Sequence, residues 1–260
     1  MKAISHAFIG LGMIALTPLA ANAQGFRWHG ALAAGKTLEV RGINGPIHAT
    51  RATGSEAVVT ATKTARKSDT ASVQIRVVTG DRGVTICAVY PSRHSGDTNE
   101  CRSGGAGDND TKDNDVSVAF EVQVPAGVEF DGSTVNGGVV GRDLPGNASL
   151  STVNGDVDVE AGGVARGSTV NGSIKAKLGR ADWEQPLKLS TVNGGIAVTL
   201  PATASCELQA ETVNGSIESD FPVTMTGRIN PRSLRGQIGS GGRELKLSTV
   251  NGSIQLIKAS

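Results

Sequence analysis

The chain has 260 residues, with 25 basic and 24 acidic side chains, 35 glycines, two Trp, one Tyr and five Phe. The near-zero charge balance argues against a nucleic-acid binder, and so few aromatics argue against base or sugar stacking. Glycine is about twice its usual ~7% share but follows no every-third-residue rule, so collagen is excluded and the core must come from Val, Ile, Leu and Ala.

Residues 1–23 read as a secretory signal peptide. Lys2 supplies the positive start, Ala7 to Leu16 the apolar stretch, Pro18 the break, and Ala21-Asn22-Ala23 the small-x-small cleavage site. The mature chain would begin at Gln24 with 24 basic and 24 acidic residues. No Cys follows the cleavage site, which argues against a lipoprotein. No later stretch approaches the ~18 apolar residues of a membrane span. The expected product is exported: periplasmic, on the cell surface or secreted.

Residues 24–130 form an N-terminal β region. Leu38 and Val40 alternate, then Ile43 and Ile47 continue in the opposite parity around Gly42-Ile43-Asn44-Gly45. Val73, Ile75 and Val77, then Val84 and Ile86, also alternate, as do Val116, Val118, Phe120, Val122 and Val124 before Pro125. Between them, residues 91–115 are rich in Gly, Asp and Asn and read as an exposed loop. In an oxidising compartment Cys87 and Cys101 are the natural disulfide pair across this segment, with two free thiols as the alternative. Cys206 shares parity with Leu208 and Ala210 and should point inward.

Residues 131–260 repeat. Ser133-Thr134-Val135-Asn136-Gly137 recurs as Ser151 to Gly155, Ser168 to Gly172, Ser190 to Gly194 and Ser248 to Gly252. Glu211 to Gly215 is a close variant, and Ser233-Leu234-Arg235-Gly236 reads as a degenerate copy. Successive Asn-equivalent positions lie 18, 17, 22, 21, 21 and 16 residues apart, too short for a paired-helix repeat. Leu187 and Leu189 alternate before the motif; Val192, Ile196 and Val198 follow it, with a parity change. A strand has period two, so the change marks a bend between two short strands. The predicted fold is all-β: a parallel β-solenoid of about 16–22 residues per coil, with a less regular N-terminal β cap. Val and Ile should face inward. The corners should stack as Asn44-Gly45, Asn136-Gly137, Asn154-Gly155, Asn171-Gly172, Asn193-Gly194, Asn214-Gly215 and Asn251-Gly252, with hydrogen-bond ladders along the axis. A meander of Asn-Gly hairpins is the competing reading.

Little points to chemistry. There is no Gly-x-Ser-x-Gly elbow, phosphate loop or dinucleotide fingerprint. His29, His48 and His94 lack metal-ligand spacing. Asp108 to Asp115 offers oxygens but lacks the EF-hand glycine and distal Glu. Asp156, Asp158 and Glu160 project from one coil, with Lys175 and Lys177 aligned beside Asp158 and Glu160 on the next, so cross-strand ion pairs account for them. Trp28 and Trp183 are best read as covers for a core edge. No cofactor or metal is implied.

The repeated Ser-Thr-Val-Asn-Gly-x-Ile units resemble a family of exported bacterial domains labelled putative adhesin. The resemblance is clearest over residues 131–260. It implies the solenoid fold and brings no catalytic residues. The expected function is a non-enzymatic solenoid that contacts an envelope or surface protein or glycan. The alternative is a self-assembling envelope protein: the sequence finishes on the repeat Ser248 to Leu256, which would leave an open strand edge at Ile254-Gln255-Leu256. A polysaccharide-active enzyme is the third reading.

Overall fold

The computed structural model describes residues 25–93, 99–104, 111, 113–179, 183, 186–225, 230 and 232–259. The signal-peptide reading and His94 lie outside them, as do Asp108, Asn109, Asp110 and Lys112. Apart from a 3-10 turn at Thr70–Ser72, the regular structure is all strand. The chain begins with β1 (Phe26–Ala31), β2 (Thr37–Arg41), β3 (Ile47–Arg51), β4 (Glu56–Thr64), β5 (Gln74–Gly80), β6 (Gly83–Val89) and β7 (Ser117–Val124). Then come β8 (Glu129–Ser133), β9 (Val139–Leu144), β10 (Ala148–Ser151), β11 (Val157–Ala161), β12 (Ala165–Ser168), β13 (Ile174–Leu178), β14 (Leu187–Ser190) and β15 (Ile196–Leu200). The last are β16 (Cys206–Asn214), β17 (Ile217–Ser219), β18 (Val223–Thr224), β19 (Ser233–Ile238), β20 (Glu244–Asn251) and β21 (Ile254–Lys258).

They build two sheets. The first runs β1-β4-β7-β3-β9-β11-β13-β15-β21-β17, and the second β18-β19-β16-β20-β14-β12-β10-β8-β2-β6-β5. Both sheets share one succession of eight strand pairs: β6/β7, β2/β3, β8/β9, β10/β11, β12/β13, β14/β15, β20/β21 and β16/β17. Each pair is one coil with a strand in each sheet, and adjacent coils are parallel. The result is a parallel β-solenoid flattened into two layers. Alternation explains the layering. Val157, Val159 and Ala161 of β11 are buried while Asp158 and Glu160 between them are not, because successive side chains leave a strand on opposite faces. Stacking coils brings like residues together: Phe120, Ile47, Val139, Val157, Ile174, Ile196 and Ile254 form one buried row across the first sheet. A single apolar cluster runs from Leu38 to Leu256.

The N-terminal region supplies two of these coils and antiparallel additions. β4 and then β1 extend the first sheet beyond β7, and β5 extends the second beyond β6. At the far end β19 and β18 extend the second sheet beyond β16. Here the structure corrects a reading of the repeat. Ser233 to Gly236 is no corner; it lies within β19, antiparallel to β16. Leu234 and Arg235 replace the Val-Asn pair that a corner needs, so nothing there stacks on the other corners.

Coil order also departs from chain order. β20/β21 sits between β14/β15 and β16/β17, and β2/β3 sits between β6/β7 and β8/β9. Consequently Ile254-Gln255-Leu256 is not an open edge: β21 pairs with β15 on one side and β17 on the other. Most coils carry closely similar corner motifs, so sequence adjacency does not dictate the neighbour.

Candidate functional site

The corners form a continuous ridge along one side of the stack. Main-chain bridges link Asn44 to Asn136, then Asn154, Asn171, Asn193 and Asn251, and Asn214 pairs with Asn251 as the last step. Each corner makes the same contacts with the one before it. Asn154 N–H donates to the Val135 carbonyl (2.7 Å), and Gly137 N–H donates to the Asn154 carbonyl (2.9 Å). The side chains form a second ladder. Asn136 Nδ2 donates to Asn44 Oδ1, Asn154 to Asn136, Asn171 to Asn154 and Asn193 to Asn171, each at 2.8 Å. Asn251 donates to Asn193 at 2.7 Å and Asn214 to Asn251 at 2.8 Å.

Glycine follows Asn because the coils approach too closely for a side chain. A Cβ on Gly137 would lie 2.3 Å from the Gly45 carbonyl oxygen, and one on Gly194 would lie 2.0 Å from that of Gly172. Gly155, Gly172, Gly215 and Gly252 meet the preceding coil in the same way, and Gly45 meets the Val118 carbonyl of the first coil.

The motif's Val, expected inside, faces outward, and the Thr at the corner takes the inward position. Thr134, Thr152, Thr169, Thr191, Thr212 and Thr249 are 4–6% exposed, whereas Val135, Val153, Val170, Val192, Val213 and Val250 are 37–55% exposed. Thr continues the inward parity of the preceding strand, and its hydroxyl is satisfied there. Thr152 Oγ1 donates to the Gly137 carbonyl (2.8 Å), Thr169 to Gly155 (2.9 Å), Thr191 to Gly172 (2.8 Å) and Thr249 to Gly194 (2.8 Å). A buried hydroxyl is tolerated when its hydrogen bond is made, so the parity change falls after Thr and Val turns outward.

Residues 144–257 match the family model described as Toastrack DUF4097. The matched segment holds the corners at Asn154, Asn171, Asn193, Asn214 and Asn251, and it stops short of those at Asn44 and Asn136. No curated protein matches the chain. Among solved structures, a putative cell adhesion protein from Clostridium sporogenes is 12% identical with a TM-score of 0.45, over 90% of this chain and 100% of that one. A putative adhesin from Bacteroides fragilis is 13% identical with a TM-score of 0.34, over 90% and 97%. Neither likeness carries weight for function at that distance.

The ridge is covered at the end nearest Asn44. Ile43 holds the position of the exposed valines yet is buried. Tyr90, at the start of the 91–115 segment, donates its hydroxyl to the Val116 carbonyl (2.8 Å), and Asn44 Nδ2 reaches the Asn114 carbonyl (3.4 Å). Asp115 accepts the N–H groups of Arg66 (3.1 Å), Lys67 (3.0 Å) and Ser68 (2.8 Å), which holds its carboxyl down at about 2. Cys87 and Cys101 form a disulfide with Cα atoms 5.6 Å apart. It pins residues 101–104 over the outer side of the second sheet, where Gly104 N–H donates to the Glu39 carboxylate (3.1 Å).

Glu39 was not singled out by its sequence pattern, yet it is the most buried carboxylate among the described residues. Burial pushes its carboxyl up, but hydrogen bonds from Thr85 Oγ1 (2.7 Å), Gly104 N–H and Arg41 Nε (2.7 Å) outweigh burial and hold it below the usual range. Asp131 lies beside Glu39 in register and is pushed up to about 6, by burial first and then by the Glu39 charge. The pair lines a cavity of about 10 Å³ together with Arg82, Thr85 and Ser103.

Glu160 pairs with Lys177 as aligned, whereas Asp158 pairs with Arg142 on the preceding coil rather than with Lys175. Asp156 accepts Ser173 N–H (2.8 Å). His29 and His48 make exposed contacts with Glu56 and Glu121. Trp183 is buried and Trp28 packs against the core. Cys206 is buried, and burial pushes its thiol up to about 11, so it is no thiolate at neutral pH. Among the described residues no group of three or more His, Cys, Asp or Glu is placed to hold a metal, and no helix is long and apolar enough to cross a membrane.

Proposed function

We propose that this chain is an exported, non-catalytic solenoid that binds an extended partner of the cell envelope along its Asn–Val ridge. The observation that carries the reading is the repetition of one exposed pair, an Asn amide beside a Val, on six successive coils. Each amide within the ladder uses one N–H and one oxygen lone pair on its neighbours. It keeps one donor and one acceptor for a partner. The coils recur at about the 4.8 Å strand spacing, so the ridge presents polar and apolar contacts to a protein or glycan lying along the axis. The disulfide and the leader-like residues 1–23 support export.

Protease shaving of intact cells, with a periplasmic control protein, tests placement. Loss of the chain with the control intact marks surface display; protection until the envelope is opened marks the periplasm; protection in opened envelopes and recovery with the cytosol would refute export. Binding is tested by retention on isolated cell envelopes before and after protein digestion, which separates protein from glycan. The triple change Val153→Glu, Val170→Glu and Val192→Glu alters only exposed positions. It should abolish retention, and undiminished retention would refute the ridge as the binding surface.

A further inference from the structure

We propose that copies of this chain join end to end, the β1 edge of one copy adding to the β17 edge of the next. This inference does not depend on what the ridge binds.

Among the described residues β1 and β17 are the two edges of the first sheet. β1 is antiparallel to β4, and β4 is antiparallel to β7. β1 therefore points the same way as β7 and every coil strand out to β17. The register can be followed across the sheet. Phe26 aligns with Ala61, Ala61 with Phe120, and Phe120 with the row that leads through Ile254 to Ile217. A second copy displaced along the axis sets Phe26 beside Ile217, Arg27 beside Glu218, Trp28 beside Ser219 and His29 beside Asp220.

The faces match at each step. Phe26, Trp28 and Ile217 pack toward the core. Arg27, His29, Glu218 and Asp220 are exposed on the outer side. The join thus continues the apolar layer inside and places Arg27 across from Glu218 outside, the favourable cross-strand pairing of opposite charges. Among the described residues no ion pair engages Arg27 or Glu218. Pairing of two β17 edges about a dyad would instead crowd Glu218 and Asp220 against their own copies, which is unfavourable.

The ends are stepped to fit. At one end the second sheet runs past the coils by β19 and β18 while the first stops at β17; at the other the first sheet runs past by β4 and β1 and the second by β5 alone. The second sheet brings one strand more to the join. One extra spacing of about 4.8 Å, across sheets about 10 Å apart, bends the join by roughly 25°. The two surfaces differ, so the contact is heterologous and gives curved filaments or rings rather than a closed dimer.

Sedimentation velocity on the purified chain, in the form its cells accumulate, tests this. The expected mass average climbs past two copies with concentration and falls in roughly 0.5 M salt, where charge pairs are screened. Arg27→Glu and Glu218→Arg should each weaken association about fivefold, and the double variant should recover to within about twofold of the parent. Circular dichroism of each variant should stay unchanged, since both side chains are exposed. A monomer at every concentration, a plateau at two copies, or a double variant no better than either single one would overturn the proposal.

Discussion

Replacing Gly137 by Ala tests why the coils stack as they do. The new Cβ would sit 2.3 Å from the Gly45 carbonyl oxygen and 2.6 Å from its carbon. Ordinary contact needs about 1 Å more. Opening the two coils by that amount stretches four hydrogen bonds that cross this step. They are Asn136 N–H to Ile43 (2.7 Å), Asn136 O from Gly45 N–H (2.8 Å), Thr134 Oγ1 to Gly45 (3.1 Å) and Asn136 Nδ2 to Asn44 (2.8 Å). All four would pass the ~3.2 Å reach of a good N–H···O bond. At about 1 kcal/mol each, with partial relaxation, Gly137→Ala should cost about 2–4 kcal/mol. The adjacent Gly138→Ala is the control, because its Cβ would meet only the Asp156 carbonyl at 3.4 Å. Urea denaturation followed by circular dichroism reads both. Equal stability of the two variants would refute the close-approach argument.

Three further outcomes follow from the buried contacts. Thr191→Val strands the Gly172 carbonyl and should cost about 1–3 kcal/mol, whereas Thr191→Ser keeps the bond and loses about 0.8 kcal/mol with its methyl; a Val variant as stable as the parent in urea would show that the hydroxyl is not what holds Thr inward. Cys101→Ser should lower stability by about 3 kcal/mol, read as a drop in Tm that reduction of the parent reproduces and reduction of the variant does not. Asp131 holds its proton more tightly folded than unfolded, so its contribution favours the fold below pH ~4 and is lost as pH rises through about 6. Asp131→Asn should therefore raise the urea midpoint at pH 8, with a gain on the order of 1 kcal/mol after solvent screening, and have little effect near pH 3; a gain of equal size at both pH values would contradict this.

Much of the architecture is readable in the residues because repetition and period two report directly on stacking and layering. Val116 to Val124 announces β7 and its buried face, and the recurring Asn-Gly marks the corners. Three features are not readable, each for a physical reason. The parity change between Leu189 and Ile196 falls somewhere within a few residues, and hydrophobicity alone favours Val192 inside; the Gly172 carbonyl, available only once coils stack, draws Thr191 in instead. Coil order is hidden because the corner motifs are so similar that they do not mark which coil lies beside which. Glu39 escaped notice for a third reason: its burial depends on the segment around Gly104, far away in sequence and brought back by the disulfide.

The inserted position of Glu244–Lys258 bears on how the molecule is made. A repeat array laid down in chain order can close like a zipper, each new coil docking on the last as the nascent chain emerges. Here residues 206–219 are made before residues 244–258, yet the later segment lies between the earlier one and the rest of the stack. The eighth coil has no final seat until the seventh arrives, so the far end must assemble as one late event spanning about fifty residues. A chain stopped short of Glu244 would lose the coil that separates residues 206–219 from β14 and β15, so its far end could close only on a neighbour it does not have in the full fold.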